Sequence, residues 1–255
     1  MDGADGVIAE CDAAMLEVAG ICKRFGGLDV LTDIAFGVPS GIILGLIGPN
    51  GAGKTTLFNI LSGFVAADVG TIRLRNRDIT GLSPERRARL GLARTFQLVR
   101  PFGRLSVLEN VMVGAFACES RPAAARRRAA AALERVGLGN WRDERPDALT
   151  LADRKRMELA RSIATAPQIL LLDEVMCGLN LTEISAMISL VRSLRAEGMT
   201  ILVVEHIMDA IAELADDVVV LAAGRILARG APPVVFRDPT VIAAYLGGSP
   251  NDAAD

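Results

Sequence analysis

"GLIGPNGAGKTT", residues 45–56, places Gly48, four residues, then Gly53, Lys54 and Thr55 behind a short apolar run and ahead of a helical pattern that ends near Gly63. A strand that turns through glycines into a helix is the context a P-loop requires. The loop from Gly48 through Pro49, Asn50, Gly51, Ala52 and Gly53 to Thr56 can curl until consecutive N–H groups point at one phosphate. Lys54 then reaches the β- and γ-phosphates, and the Thr55 hydroxyl can ligate magnesium. A glycine-rich turn with a chance lysine is the competing reading, and the flanking strand and helix weigh against it.

Outward from that loop the chain alternates two kinds of strand. "IILGLI" at 42, "ILLL" at 169, "TILVV" at 200 and "VVVL" at 218 are continuously apolar, as strands covered on both faces of a parallel sheet are. Between Leu16 and Val38, and again in "TIRLR" at 71–75, apolar and polar residues alternate, which predicts half-exposed antiparallel strands. The stretch from about 98 to 165 reads as a helical insertion. Ser106 and Glu109 form a capping box, and "RPAAARRRAAAALERVG" is an alanine-rich helix with Pro122 near its start and Gly137 as its C-cap. Arg126, Arg127 and Arg128 spread around that helix and predict a solvated surface, while Trp141 is expected to pin a loop to the helical region.

Two further sites fall at the ends of buried strands, where open α/β sheets bind their ligands. "ILLLDE" at 169–174 carries Asp173 to a strand end, suited to hold magnesium, with Glu174 beside it to orient or deprotonate an attacking water. The only histidine, His206, follows "TILVVE", where a neutral imidazole can touch the γ-phosphate or the water; a structural histidine is the alternative. "LTLADRKRMELARS" at 149–162 starts a helix that Thr150 can cap, with Asp153 in the capping-box position and Leu151, Leu159 and Ile163 at helical spacing. Such an N-terminus can instead receive an anion.

Bulk properties bound the rest. The 255 residues are 51% hydrophobic, enough for a substantial core, and 28 basic against 30 acidic residues leave a net charge of −2, which argues against nucleic acid as the main partner. No apolar run approaches the roughly 18 to 20 residues that span a bilayer. Residues 1–14 lack the features of a signal peptide and read as a disordered cytosolic tail, and residues 248–255 as a flexible one. The four cysteines have no metal-ligand spacing; Cys177 reads as a small buried side chain.

In this order the motifs resemble the ATP-binding subunits of ATP-binding cassette (ABC) transporters, over nearly all of residues 15–247. The resemblance implies an α/β P-loop nucleotide-binding domain with a RecA-like core, an antiparallel β subdomain and a helical subdomain. It makes Gly48–Thr55 the Walker A loop, Gln97 in "LARTFQ" the Q-loop residue that shares the metal with Thr55 and Asp173, and Glu174 the carboxylate of hydrolysis. His206 becomes the switch histidine, Asn180 in "GLN" a D-loop residue, and Phe25 in "KRFGGL" the ring that stacks on adenine. "LTLAD" stands at the signature motif, where Thr150 and Ala152 would meet ATP bound to the opposite subunit. Leu151 and Ala152 replace two glycines there, Asp153 replaces glutamine, and Asn180 replaces the usual D-loop aspartate.

Within the family, "GLARTFQLVRPFGRLSVLENVMVGA", "ILLLDEVMCGLN" and "VIAAYLGG" look most like subunits of branched-chain amino-acid importers. Close relatives serve urea, amides and other small solutes. The resemblance implies ATP and magnesium as cofactors, and as partners a second ABC subunit, identical or related, and a membrane permease meeting the segment with Leu98, Phe102 and Leu105. A periplasmic solute-binding protein acts indirectly, no nucleic acid is involved, and the location is the cytoplasmic face of the membrane. A small-molecule P-loop kinase, a non-transport ABC ATPase and a degenerate regulatory subunit are the alternatives.

Overall fold

The computed structural model describes residues 14–95 and 100–246. The chain runs β1 (Leu16–Phe25), β2 (Leu28–Val38), β3 (Ile43–Ile47), α1 (Lys54–Ser62), β4 (Val69–Leu74), β5 (Arg77–Asp78), α2 (Pro84–Arg89) and β6 (Leu92–Arg94). Three helices follow, α3 (Val107–Ala115), α4 (Pro122–Arg135) and α5 (Leu151–Ile163), before β7 (Ile169–Asp173), α6 (Leu181–Ala196), β8 (Thr200–Val204) and α7 (Met208–Leu214). The last elements are β9 (Asp217–Ala222), β10 (Arg225–Gly230), α8 (Pro232–Val235) and α9 (Pro239–Leu246).

The two kinds of strand segregate into two sheets. The alternating strands form an antiparallel sheet in the order β2-β1-β4-β5, with Ile72 and Leu74 turned inward and Thr71 and Arg73 outward. The continuously apolar strands form a second sheet, β10-β9-β3-β8-β7-β6, parallel from β9 to β6 and closed by antiparallel β10. Successive residues of these strands feed different cores, which is why they show no alternation. Ile43, Leu170, Leu172, Ile201, Val203, Val218 and Val220 pack with α3 to α7 on one face. Leu44, Leu46, Leu171, Leu202, Val204, Val219 and Leu221 pack with α1 and the antiparallel sheet on the other.

The helical insertion forms from local signals. Ser106 Oγ accepts from the Glu109 N–H at 3.2 Å while Glu109 accepts from the Ser106 N–H at 2.8 Å, closing the capping box that starts α3. In α4, Ala125, Ala129, Ala132 and Leu133 recur at helical spacing and face the core. Arg126 and Arg127 are exposed, and Arg128 pairs with Glu119 at 3.1 Å. Gly114 lets α3 lie directly on α5, since a Cβ there would fall 2.0 Å from the carbonyl oxygen of Arg161.

Three expectations are corrected. Trp141 closes a 3-10 turn (Gly139–Trp141) with 39% of its surface exposed, so it anchors the loop only partly. Leu151 lies half exposed, outside the buried stripe that Leu159 and Ile163 join, because its position in the first turn points away from the core. Cys177 is exposed, because it lies on the loop between β7 and α6 and not in either element.

Candidate active site

The P-loop joins β3 to α1 at the C-terminal ends of the parallel strands. Gly48 has φ 149°, and a Cβ there would lie 2.0 Å from the Leu221 carbonyl oxygen, so only glycine passes this close to β9. The buried Lys54 ammonium bonds back to the carbonyls of Gly48 at 2.6 Å and Pro49 at 2.9 Å, which holds the charge at the centre of the loop. Burial lowers its pKa from the usual lysine value, and the charge of Glu174 opposes that shift. From α9 the Tyr245 hydroxyl reaches the Gly48 backbone, and burial pushes it up to about 12.

Parallel pairing sets Asp173 opposite Val204, so β7 and β8 end level and deliver Asp173, Glu174 and His206 to one place. Asp173 Oδ2 accepts from Arg94 at 2.6 Å, with both side chains buried, and Arg94 also donates to Asn59 and Ser62 of α1 at 2.7 and 2.9 Å. Glu174 follows in a left-handed conformation, φ 49°, uncommon for a side chain of its size. Its Oε1 lies 2.6 Å from His206 Nε2. Residues 50–56, Val30, Glu174 and His206 line one cavity of about 310 Å³. The P-loop, carboxylate and imidazole that were distant in sequence therefore share a wall.

The Thr55 hydroxyl, at the start of α1, and the Asp173 carboxylate are hard oxygen donors of the kind magnesium takes. A magnesium ion completed by substrate phosphates needs only one or two protein ligands, and among the described residues no group of three or more His, Cys, Asp or Glu forms a protein-only cage. Thr55 lines the cavity, whereas Asp173 is buried against Arg94 outside its lining, so it is the chemistry of these donors that suits the ion.

Other expected site residues are spread over the surface. Phe25 is 49% exposed at the end of β1, with Lys23 Nζ 5.3 Å from its ring centroid, and does not line the P-loop cavity. Thr150 caps α5: its Oγ1 accepts from the Asp153 N–H at 3.2 Å and donates to Asp153 Oδ2 at 2.8 Å. Thus Asp153 accepts a hydrogen bond from the hydroxyl instead of from the Thr150 amide. The Ala152 side chain is buried, which leaves its first-turn N–H as the group it can offer. Asn180 caps α6 in a reciprocal box with Glu183. Gln97 and Leu98 lie outside the described residues.

Three charged residues near the site went unnoticed in the sequence: Arg94, Lys155 and Glu205. Lys155, buried on α5, donates to the Glu174 carbonyl at 3.0 Å, and desolvation lowers its pKa. Glu205, buried just past β8, accepts from the Met176 N–H at 2.8 Å, and burial pushes its pKa up to about 7. The available signal was helical spacing, which sets Lys155 between buried Ala152 and Leu159 on one face.

A family model described as "ABC transporter" matches residues 31–176, and one described as "Branched-chain amino acid ATP-binding cassette transporter" matches residues 225–250. The chain is 40% identical to the high-affinity branched-chain amino acid transport ATP-binding protein LivG of Salmonella typhimurium, over 91% of this chain and 98% of LivG. It is 38% identical to BraF of Pseudomonas aeruginosa, whose name has the same wording, over 91% and 98%. Among solved structures it resembles the ADP conformation of MJ1267, an ATP-binding cassette of an ABC transporter, with TM-score 0.85, 30% identity and coverage of 92% of this chain and 99% of that one.

Proposed function

Because this chain belongs to the ABC transporter family, as one of its ATPase subunits, we propose that it powers import of branched-chain amino acids or related small amide and amino-acid solutes. The observation that carries the chemical part is the shared wall: Lys54 and Thr55 of the P-loop, Glu174 and His206 line one cavity. The similarity to LivG and BraF supports the choice of solute.

In this reading the P-loop amides and Lys54 bind the phosphates, and Phe25 offers its exposed ring to the adenine. Thr55, Asp173 and Gln97 would hold magnesium, which would supply neutralising charge to the phosphates. Glu174 takes the proton of the attacking water, and His206, 2.6 Å from its Oε1, steadies that carboxylate and senses the γ-phosphate. Thr150, Ala152 and Asn180 face the nucleotide of a second ABC subunit across a head-to-tail dimer. Binding that is stronger in the closed dimer shifts the pair toward closure.

A permease is the membrane partner. Among the described residues no helix is long and apolar enough to cross a membrane. In this reading the subunit sits peripherally on the cytoplasmic face, with a periplasmic solute-binding protein on the other side. The permease's docking place is a largely apolar groove of about 430 Å³ between the core and the helical insertion, walled by Phe64, Leu92, Arg94, Val113 and Arg161. Half-exposed Phe102 stands at its margin, with the Arg161 guanidinium 5.8 Å from its ring.

Glu174→Gln tests the assignment. ATP binding persists and steady-state phosphate release falls by about 10²- to 10⁴-fold, the usual contribution of a general base. Hydrolysis at the unsubstituted rate by a pure preparation refutes it.

A further inference from the structure

The left-handed backbone of Glu174 persists only if its surroundings over-determine it. Its N–H donates to the Val204 carbonyl at 3.0 Å, and its carbonyl accepts from the Cys177 N–H at 3.3 Å. The first is a cross-strand bond to β8 and the second an ordinary turn bond. Two charged side chains that the chemistry described above does not employ add to them, one at Glu174 itself and one at Met176 two residues on. Lys155 crosses from α5 to the Glu174 carbonyl at 3.0 Å. The Glu205 carboxylate accepts from the Met176 N–H at 2.8 Å, and because Glu205 directly precedes His206 in the chain it ties the loop that bears Glu174 to the loop that bears His206.

Both side chains are almost fully buried, 6% exposed for Lys155 and 3% for Glu205. Apolar residues of similar volume would fill the same space without the desolvation cost of two charges. What they could not do is donate to the Glu174 carbonyl or accept from the Met176 amide.

We propose that Lys155 and Glu205 are positioning residues for hydrolysis, fixing the backbone from Glu174 to Met176 so that the Glu174 carboxylate and the His206 imidazole keep their mutual aim. The inference rests on the reading of Glu174 as the general base. Lys155 arrives from the helical insertion and Glu205 from the core sheet, so the aim depends on both parts of the molecule.

The test compares full-length Lys155→Met, Lys155→Arg, Glu205→Leu and Glu205→Gln with the unsubstituted chain and with Glu174→Gln, measuring phosphate release, KM and ATP affinity. The expected result is a split. In Lys155→Met and Glu205→Leu kcat falls about ten- to a hundredfold, the loss that a misplaced group causes, while ATP affinity stays within about twofold. Lys155→Arg, which keeps a donor, and Glu205→Gln, which keeps an acceptor, recover most of the rate. A merely structural role would lower the melting temperature and leave kcat of the folded fraction unchanged. Unchanged kcat in Lys155→Met and Glu205→Leu, with Glu174→Gln inactive, overturns the proposal. If Lys155→Met does not fold, Glu205→Leu and Glu205→Gln decide by the same criterion. If Glu174→Gln itself hydrolyses normally, the general-base reading is wrong and the inference falls with it.

Discussion

Lys54 shows how a single residue can be legible in sequence and still behave unexpectedly in structure. Its spacing after Gly48 announces a phosphate ligand, and the folded chain bends its ammonium back onto the loop's own carbonyls. Exchanging those carbonyl acceptors for anionic phosphate oxygens is worth about 1.5–3 kcal/mol, so Lys54→Ala weakens Mg-ATP binding by about ten- to a hundredfold in titration calorimetry. Glu205 gives a residue-scale prediction in pH. Its pKa rises on folding from 4.5 to about 7, so the folded state binds the extra proton between those values. Its contribution to stability is full below pH 4.5 and is lost as pH rises through about 7. Glu205→Gln, which cannot titrate, flattens that decline in urea melts taken across the range. Asp173, Glu174 and His206 were visible because each ends an apolar run. Arg94, Lys155 and Glu205 were not, because a lone charge in a sequence carries no sign of the carbonyl, amide or carboxylate it will meet.

At the scale of elements, two periodicities were enough to separate the sheets: alternation marked β1, β2 and β4, and unbroken apolar runs marked β3, β7, β8 and β9. The α3 capping box and the alanine face of α4 were equally local and equally readable. Packing between helices was not. Nothing in "VMVGA" says that Gly114 will touch the Arg161 backbone, since the contact joins residues far apart in the chain. Gly114→Val forces α3 away from α5 and costs about 1–3 kcal/mol, the usual penalty of overpacking, which a denaturant midpoint will register. The start of α5 also resolves its own ambiguity in this structure: Thr150 and Asp153 satisfy each other, so a phosphate arriving there must share donors with an existing cap.

For the whole molecule, the proposed head-to-tail pairing makes the mass in solution the informative quantity. Glu174→Gln, unable to clear its nucleotide, should double in mass by light scattering when Mg-ATP is added, if α5 can grip a phosphate despite Leu151, Ala152 and Asp153. A monomer that binds ATP without doubling points to a different cassette as partner, or to closure that needs the permease. The groove that would seat the permease has a further property. Arg94 forms part of its wall, and the same guanidinium grips Asp173 while holding Asn59 and Ser62 of the P-loop helix. The docking face and the chemical centre are therefore one side chain apart. A permease pressing on that wall would lean on the same arginine that holds the Asp173 carboxylate, so a push from the membrane would reach the nucleotide site through a single side chain.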